Sequence, residues 1–424
     1  MPLARGPAAA EPPPGGYRRG SAGYRRASAA AFLAGAGTFA LLYGAQAVLP
    51  LLSDDFVVSA ATASLALSAA TGTIAVSLLP MSSVSSRWGT SRVMTVSLAA
   101  ATLVAVLVPL APSFPVLLAL RAAQGVAMAG VPALAIAYLG RTIHPSGLGG
   151  AVGLFVAGNT MGGLSGRLIS AAVADLLGWR AAFAVVAVFA TGCLAAFWWL
   201  LPTRADGDAA APMRTATAAR GADATAVQHV IAHLRDPVLL RLFGLSFVLM
   251  SAFVTVYNYL PYRLLAAPFT LSAAVVGLVF LAYVPGSISA GVAGRVGDRV
   301  GRRAVLWAGV LLAQIAILLT WPDVLACVVA GLVLFTVGFF GAHASASTAV
   351  SARAVRGRAQ ASALYLTAYY AGSSLGGSLS GLAFAAAGWT GIVAFVTCAV
   401  LLAAALVHGV RPGRGGAGPS ATRA

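Results

Sequence analysis

The stretch GRVGDRVGRR, residues 294–303, decides the fold of this chain, because an earlier stretch repeats its pattern. The earlier copy is SSVSSRWGTSR, Ser82–Arg92, and its arginine and glycine align with those of the later copy at an offset of 212 residues. That offset is half of the 424-residue chain. Other glycine and proline pairs align at offsets of 211 to 214 residues, such as Gly72 with Gly286. The sequence therefore predicts two related halves in the same orientation.

Long apolar segments separate the charged stretches. Eleven segments of 19 or more residues contain no Asp, Glu, Arg or Lys, and the chain is 59% hydrophobic but only 9% charged. A helix of ~20 apolar residues crosses a bilayer and satisfies its own backbone hydrogen bonds. We therefore predict an all-α membrane protein with twelve transmembrane helices in two pseudo-symmetric six-helix bundles. The predicted spans are centred on residues 30–52, 62–84, 93–111, 116–139, 148–173, 180–201, 239–261, 272–293, 304–321, 324–348, 359–385 and 390–410.

The span map divides the chain into five segments. Both ends are rich in Gly, Pro, Ala and Arg, a composition typical of disorder. The predicted segments are a disordered cytoplasmic N-terminal tail (1–27), an N-terminal six-helix bundle (28–202), a cytoplasmic linker (203–237), a C-terminal six-helix bundle (238–410) and a cytoplasmic C-terminal tail (411–424).

The linker contains one amphipathic stretch, AVQHVIAHLR, Ala226–Arg235. Its Val, Ile and Leu residues share one helical face, which predicts a short interfacial helix. His229 and His233 stand at i,i+4 on the opposite face, either as solvated polar residues or as two imidazoles that share a metal ion. Because no third ligand is near, we expect no metal site.

The charge distribution predicts the orientation. The net charge of +17 comes from 27 arginines without any lysine, a balance that would also suit a nucleic-acid-binding protein. Placed on the span map, 23 arginines fall in the tails and in the loops after even-numbered spans. By the positive-inside rule, both termini are cytoplasmic in a bacterial inner (plasma) membrane, and we expect no nucleic-acid partner.

The second loop copy fits the pattern G-x-x-x-D-R-x-G-R-R at Gly294, Asp298, Arg299, Gly301, Arg302 and Arg303. It resembles the cytoplasmic loop signature of the major facilitator superfamily. The resemblance implies a gating loop that latches the two halves together. In the first copy Ser86 replaces the aspartate, so we expect the latch to rest on Asp298, near Ser146. Alternatively, the arginines of this loop only set the membrane topology.

Two arginines fall inside predicted spans. Arg121 opens RAAQG, which resembles the second motif of the same superfamily, and Arg167 follows a glycine-rich face. A charged residue at bilayer depth normally faces a cavity or a partner. Either arginine could therefore bind an anionic substrate directly, and Arg121 could also extend to the membrane surface.

The fifth predicted span carries a glycine pattern. Gly149-x8-Gly158-NTM-Gly162-Gly163-LS-Gly166 is close to the antiporter motif of the superfamily, with Gly163 in place of its proline. The resemblance implies an exporter whose glycine hinge comprises Gly158, Gly162, Gly163 and Gly166. The same glycines would also suit close helix packing.

Polar and aromatic residues of six spans are expected to line a central substrate cavity. The segments that hold them resemble the bacterial drug and sugar efflux branch, the arabinose-efflux-permease-like proteins, over about residues 30–410. Tyrosines in such positions also serve packing. The predicted cavity residues are Tyr43, Gln46, Gln124, Asn159, Arg167, Tyr257, Asn258, Tyr369 and Tyr370.

Proton coupling needs a group that titrates, which arginine cannot do. Many antiporters of this branch have a carboxylate inside span 1, whereas this chain has none between Arg26 and Asp54. His343 lies inside span 10, and an imidazole titrates near neutral pH. The titratable coupling candidates are His343, Asp54 and Asp55, with Asp175 as a further carboxylate near a span end. Arg121 is a coupling candidate without a proton carrier, since it could bind an anionic substrate whose exit the membrane potential favours.

The sequence thus predicts a monomeric secondary transporter rather than an enzyme, without a cofactor. It would export small drug-like or sugar-like organic compounds by alternating access, in exchange for protons. Its partners are a small-molecule substrate, protons and the lipid bilayer. The nearest alternative is a facilitator or importer of a small organic anion that uses Arg121 or Arg167 without proton coupling.

Overall fold

A computed structural model describes residues 15–202 and 227–410, which are almost entirely helical. The helices are α1 (Ala22–Ala47), α2 (Leu49–Phe56), α3 (Ala60–Trp88), α4 (Thr90–Leu107), α5 (Phe114–Met128), α6 (Gly130–Thr142), α7 (Pro145–Leu200), α8 (227–235), α9 (Pro237–Leu265), α10 (Ala273–Gly277), α11 (Tyr283–Val300), α12 (Arg302–Leu319), α13 (Leu325–Arg353) and α14 (Arg358–Gly409). Two 3₁₀ helices cover Val108–Leu110 and Leu278–Ala282.

The described residues form ten continuous helical segments that are long and apolar enough to cross a membrane. Two of them, α7 and α14, have 56 and 52 residues. At 1.5 Å per residue each would be about 80 Å long, far more than a hydrocarbon core of about 30 Å. Both helices break near their middle, where Gly178 and Gly388 adopt positive φ. Each therefore crosses twice, which confirms the prediction of twelve spans.

The two arms of α7 run in opposite directions along α1. In the first arm the contacts advance along both helices, from Gly158 against Phe32 to Gly166 against Ala40. In the second arm the order is reversed. The helix α14 packs against α9 in the same way, so each half contains the same long folded helix.

The two repeated loops make the same turn. Gly89 has φ 84° and ψ 145°, and Gly301 has φ 90° and ψ 141°, a conformation that glycine adopts without strain. We call the end of the molecule that holds these two glycines the loop end. The opposite end, which holds Gly178 and Gly388, is the kink end.

The N-terminal tail is more ordered than predicted. Tyr17 is buried, its amide donates to the Thr142 carbonyl at 2.9 Å, and α1 already begins at Ala22 after the N-cap residue Ser21. A buried aromatic ring and a helix cap hold residues 15–27, which were expected to be disordered. Residues 1–14, 203–226 and 411–424 lie outside the described residues, and the other domain boundaries stay predictions.

The predicted interfacial helix is present as α8, but its histidine face is not solvated. His233 is buried, with a ring nitrogen 3.0 Å from the Gly357 carbonyl, and His229 packs on the same glycine. The apolar residues Val227 and Ile231 are 57% and 44% exposed. Because the apolar face points outward, the histidines must face the bundle.

Candidate functional site

Arg167 lies in the seam between the two halves and has no exposed surface. Its Nε donates to Gln46 Oε1 at 2.8 Å, and its Nη1 donates to the Gly163 carbonyl at 2.9 Å. Its Nη2 donates to the hydroxyl of Tyr283 at 2.7 Å. Tyr283 belongs to the second half, so this side chain from α7 connects the halves.

Three aromatic rings surround the Arg167 guanidinium. Its Cζ lies 4.2 Å from the ring centroid of Tyr43, 4.4 Å from that of Tyr283 and 5.3 Å from that of Phe280. Such contacts contribute about 0.5–2 kcal/mol each. They partly offset the cost of a cation at bilayer depth, ~2.5–3.5 kcal/mol on insertion scales. The rings belong to both halves and enclose the charge.

An amide pair joins the halves beside Arg167. Gln46 Nε2 donates to Asn258 Oδ1 at 2.8 Å, and both side chains are buried. The two residues are 212 positions apart, the offset of the sequence repeat, so they are equivalent residues of the two halves. Because Arg167 requires Gln46 Oε1 as an acceptor, the Gln46 amine must face Asn258. Asn258 Nδ2 then has no acceptor among the described residues.

The predicted glycine hinge packs α7 against α1. A Cβ atom at Gly158, Gly162 or Gly166 would lie 2.1–2.4 Å from the α1 backbone, so only glycine allows this approach. Gly163 faces the site instead, since its Cβ would lie 3.1 Å from Arg167 Nη1. The helix is regular through all four glycines. The packing role is observed, and a hinge motion stays a prediction.

Arg121, which like Arg167 has no exposed surface, lies in a separate cluster within the first half. Its Nε donates to the Ala66 carbonyl at 2.8 Å, and its two Nη atoms donate to the carbonyls of Leu41 and Leu42 at 3.0 and 2.8 Å. Gln124 Oε1 accepts a further hydrogen bond from Nη1. The structure thus separates Arg121 and Gln124 from Arg167, and Arg121 connects α5 to α1 and α3.

The predicted tyrosines of the second half lie on the other side of the seam. Tyr257 is fully buried, and its hydroxyl is 2.7 Å from Thr336 Oγ1. Tyr369 is partly exposed and interacts with the side chain of Tyr43. Its ring packs edge to face against that of Tyr370, with 5.3 Å between the ring centroids. The structure therefore brings these tyrosines together around the centre.

His343 lies among aromatic rings close to this wall. Its Nδ1 is 3.0 Å from the hydroxyl of Tyr365, and its ring is 4.9 Å from Tyr369. The side chain is partly exposed. Asn159 lies elsewhere, against Gly35 of α1, and its buried Oδ1 has no hydrogen-bond partner within the part of the chain that the structure describes.

No carboxylate of the described residues lies near Arg167. The described residues include six carboxylates, and all of them lie at the two ends of the molecule: Asp54, Asp55, Asp175, Asp236, Asp298 and Asp323. Asp55 accepts from Trp179 Nε1 and from Arg180, each at 2.9 Å. The Trp179 hydrogen bond, together with the Arg180 guanidinium, holds the pKa of Asp55 below its ordinary value. The predicted proton carriers Asp54 and Asp55 are therefore not part of the central cluster.

The halves are joined at the kink end. Ser53 Oγ of the first half is 2.7 Å from the Tyr262 hydroxyl of the second. Asp175 of α7 accepts from the Ala273 amide of α10 at 2.9 Å. Seam contacts between α3 and α14 continue from this end to the Thr367 hydroxyl, which donates to a carbonyl of α3 at 3.4 Å.

The predicted latch at the loop end is not formed. Asp298 is exposed, and within the described parts of the chain no hydrogen bond joins it to Ser146, whose hydroxyl instead bonds His144 at 2.8 Å. Gly294, Arg299 and Gly301 are also exposed, whereas Arg302 and Arg303 are partly buried. The hydrogen bonds described between the halves therefore lie at the kink end and along the middle of the seam.

Tyr283 and Phe280 were not among the site residues predicted from the sequence, although both contact Arg167. Their i,i+3 spacing puts them on one helical face, which is visible in the sequence. No local signal shows that this face, rather than another, turns toward Arg167.

Comparison with known proteins gives consistent matches. The family model described as Major Facilitator Superfamily matches residues 28–266 and 242–423. The chain is 37% identical over 386 residues to an uncharacterized MFS-type transporter, YybF, of Bacillus subtilis (strain 168), covering 91% of this chain and 93% of that protein. It is 38% identical over 394 residues to the inner membrane transport protein YnfM of Escherichia coli (strain K12), covering 93% and 92%.

A solved structure shares the architecture. It is a bacterial homolog to the human lysosomal transporter Spinster in an inward-facing and occupied conformation, with a TM-score of 0.72 and 17% sequence identity. The match covers 92% of this chain and 96% of the other. At this identity the likeness concerns the fold alone.

Proposed function

This chain belongs to the major facilitator superfamily of transporters, and from that premise we propose that it exports a small organic compound across the bacterial inner membrane in exchange for protons. The observation that carries the proposal is the polar cluster in which Arg167 and Gln46 of one half bond Tyr283 and Asn258 of the other. A ligand that binds there contacts both halves. Its binding therefore changes the stability of the inward-facing state relative to that of the outward-facing state.

The arginine distribution supports a cytoplasmic loop end, with both termini on that side. The kink end, joined by Ser53 and Tyr262, is then extracellular. In this orientation the contacts Ser53–Tyr262 and Asp175–Ala273 lie at the extracellular end, which supports access from the cytoplasm, the side from which an exporter takes its substrate. The glycine face of α7, which resembles the antiporter pattern, supports export.

We propose His343 as the proton carrier. It is the titratable imidazole nearest to the central tyrosines, and its partial exposure allows contact with water. Its hydrogen bond with Tyr365 would hold the ring while the proton is exchanged. Protonation then alternates with substrate binding in the same part of the seam. The protein works as a monomer in this scheme, because both halves belong to one chain.

Purified protein in proteoliposomes tests this function. A panel of sugars, organic anions and cationic drugs is screened for flux under an imposed pH gradient. We expect uphill accumulation driven by the gradient, which His343→Asn abolishes while exchange without a gradient persists. Flux that ignores the pH gradient for every substrate would refute proton coupling. Flux that then follows the membrane potential would favour a facilitator of an organic anion.

A further inference from the structure

We infer that the substrate is an organic anion whose charged group binds Arg167, an inference that rests on the proposed function. Arg167 is fully buried, and each of its three hydrogen-bond acceptors is a neutral oxygen. A guanidinium has five N–H donors. Two of them therefore have no acceptor within the described residues, which leaves donors and a full positive charge for a ligand.

The hydrogen bonds of Arg121 are those of an arginine that stabilises the packing of one half, and they serve as a comparison for Arg167. It makes four hydrogen bonds, three of them to backbone carbonyls, all within the first half. It touches no residue of the second half among these partners. Arg167, by contrast, has fewer acceptors and lies where the halves meet. These two arginines, both without exposed surface, therefore differ: Arg121 has the contacts of a packing residue, and Arg167 those of a ligand-binding residue.

Among the described residues, no carboxylate is a counter-ion to Arg167. The described carboxylates lie at the two ends of the bundle, and the ion pairs that the structure records involve Arg180, Arg263 and Arg353 instead. A cation at bilayer depth is costly unless it meets an opposite charge or a polar cavity. The missing negative charge is one that an anionic substrate would supply.

The neighbouring amides add donors rather than acceptors. Arg167 fixes the direction of the hydrogen bonds from Gln46 to Asn258, whose Nδ2 is buried and has no acceptor among the described residues. Ser68 Oγ, a hydroxyl that can donate or accept, is likewise buried and has no partner among the described residues, and both atoms face Gly377. The seam beside Arg167 therefore has an excess of donors. An acceptor-rich group such as a carboxylate or sulfonate complements it.

The rings around the site indicate the rest of the substrate. Two partly exposed rings pack against the rings that cover the cation. The ring centroid of Phe39 is 6.0 Å from that of Tyr43, and the ring centroid of Phe340 is 5.7 Å from that of Tyr283. Tyr43 and Tyr283 are the rings that cover the guanidinium. A ligand that reaches Arg167 along these rings has an apolar or aromatic body.

Entry to the site requires the covering rings to move. Phe280 lies in the 3₁₀ segment Leu278–Ala282, and Tyr283 follows it directly at the start of α11. A 3₁₀ stretch between α-helical segments often marks a functional hinge. We expect this segment to be the place where both rings move away from Arg167, so that the anion replaces the Tyr283 hydroxyl on Nη2.

Binding and flux of size-matched probes test the inference on the full-length protein. The anions benzoate and benzenesulfonate are compared with neutral benzyl alcohol and cationic benzyltrimethylammonium, by calorimetry in detergent and by flux in proteoliposomes. We expect the anions alone to bind and move. Arg167→Gln should weaken anion binding about a thousandfold, and Arg167→Lys less. Arg180→Gln, which removes a surface arginine, serves as the matched control.

The outcomes separate this inference from the proposed function. If the neutral or cationic probe binds as tightly as the anions, the anion assignment is wrong, and its flux would still support a transporter. Equal anion binding by Arg167→Gln and wild type would overturn it as well. Anion binding without flux under any gradient supports the site and overturns the proposed function. Should Arg167→Gln fail to fold, the probe series on the wild type decides.

Discussion

A carboxylate placed beside Arg167 should abolish anion binding without unfolding the protein. In Gln46→Glu, the new carboxylate occupies the position of an oxygen that already lies 2.8 Å from Arg167 Nε. The substitution preserves side-chain size, so the packing of α1 is unchanged. Asn258 can turn its amide and donate Nδ2 to the carboxylate, which preserves the contact between the halves. The variant thus changes the charge of the site but not its shape.

The magnitude follows from the lost attraction. A unit charge about 4 Å from the guanidinium gains about 4 kcal/mol at an effective dielectric constant of about 20. The carboxylate of Gln46→Glu neutralises the cation and removes that gain. Since each 1.4 kcal/mol is a factor of ten, the Kd for an anion should rise about a thousandfold.

The assay is calorimetric titration of benzenesulfonate in detergent, together with thermal unfolding. Gln124→Glu is the matched control, because Gln124 accepts from Arg121 as Gln46 does from Arg167. We expect Gln46→Glu to melt no lower than the wild type and to be the one variant that loses anion binding. Gln124→Glu also loses the hydrogen bond from Gln124 Nε2 to the Ala101 carbonyl, so it should melt lower while anion binding persists. Unchanged affinity in Gln46→Glu, or an equal loss in Gln124→Glu, would refute the reasoning.

Three further predictions concern the ends and the helix packing. Asp298→Asn should reduce flux but leave membrane insertion and melting temperature unchanged, because Asp298 is exposed in the described state; normal flux would disprove the latch. Gly162→Ala should destabilise the protein by about 1–3 kcal/mol in thermal unfolding, because its Cβ would lie 2.1 Å from an α1 carbonyl oxygen. Gly153→Ala, with open space around it, is the control, and equal melting of the two would contradict the packing argument. The lowered pKa of Asp55 stabilises the folded state above the ordinary carboxyl pKa near 4, and this contribution disappears as pH falls through the lower value. Since this side chain is 42% exposed, its contribution is under about 1 kcal/mol. The difference in melting temperature between the wild type and Asp55→Asn should therefore shrink below about pH 4. A difference that grows there would contradict the assigned direction of the pKa shift.

The outline of the site was predictable in part. Tyr43, Gln46, Arg167, Tyr257, Asn258, Tyr369 and Tyr370 were expected near the centre, and the structure brings them to the seam. Gln124 was placed there as well, yet it lies in the Arg121 cluster. Both arginines follow similar local signals, an isolated charge in an apolar span. Which one meets the second half depends on how each helix is rotated, and a single span does not encode that rotation.

The sequence by itself determined the number of spans, the duplication and the predicted orientation. These depend on local quantities: the length of apolar segments, the glycine turns at Gly89 and Gly301, and the sides on which arginines collect. Only the tertiary structure decided that Gln46 pairs with Asn258, that Tyr283 covers Arg167, and that the Asp298 latch is unformed. The physical reason is that hydropathy fixes where a helix crosses the bilayer. The partner of each buried polar group is fixed by the tilt, rotation and contact of helices distant in the chain.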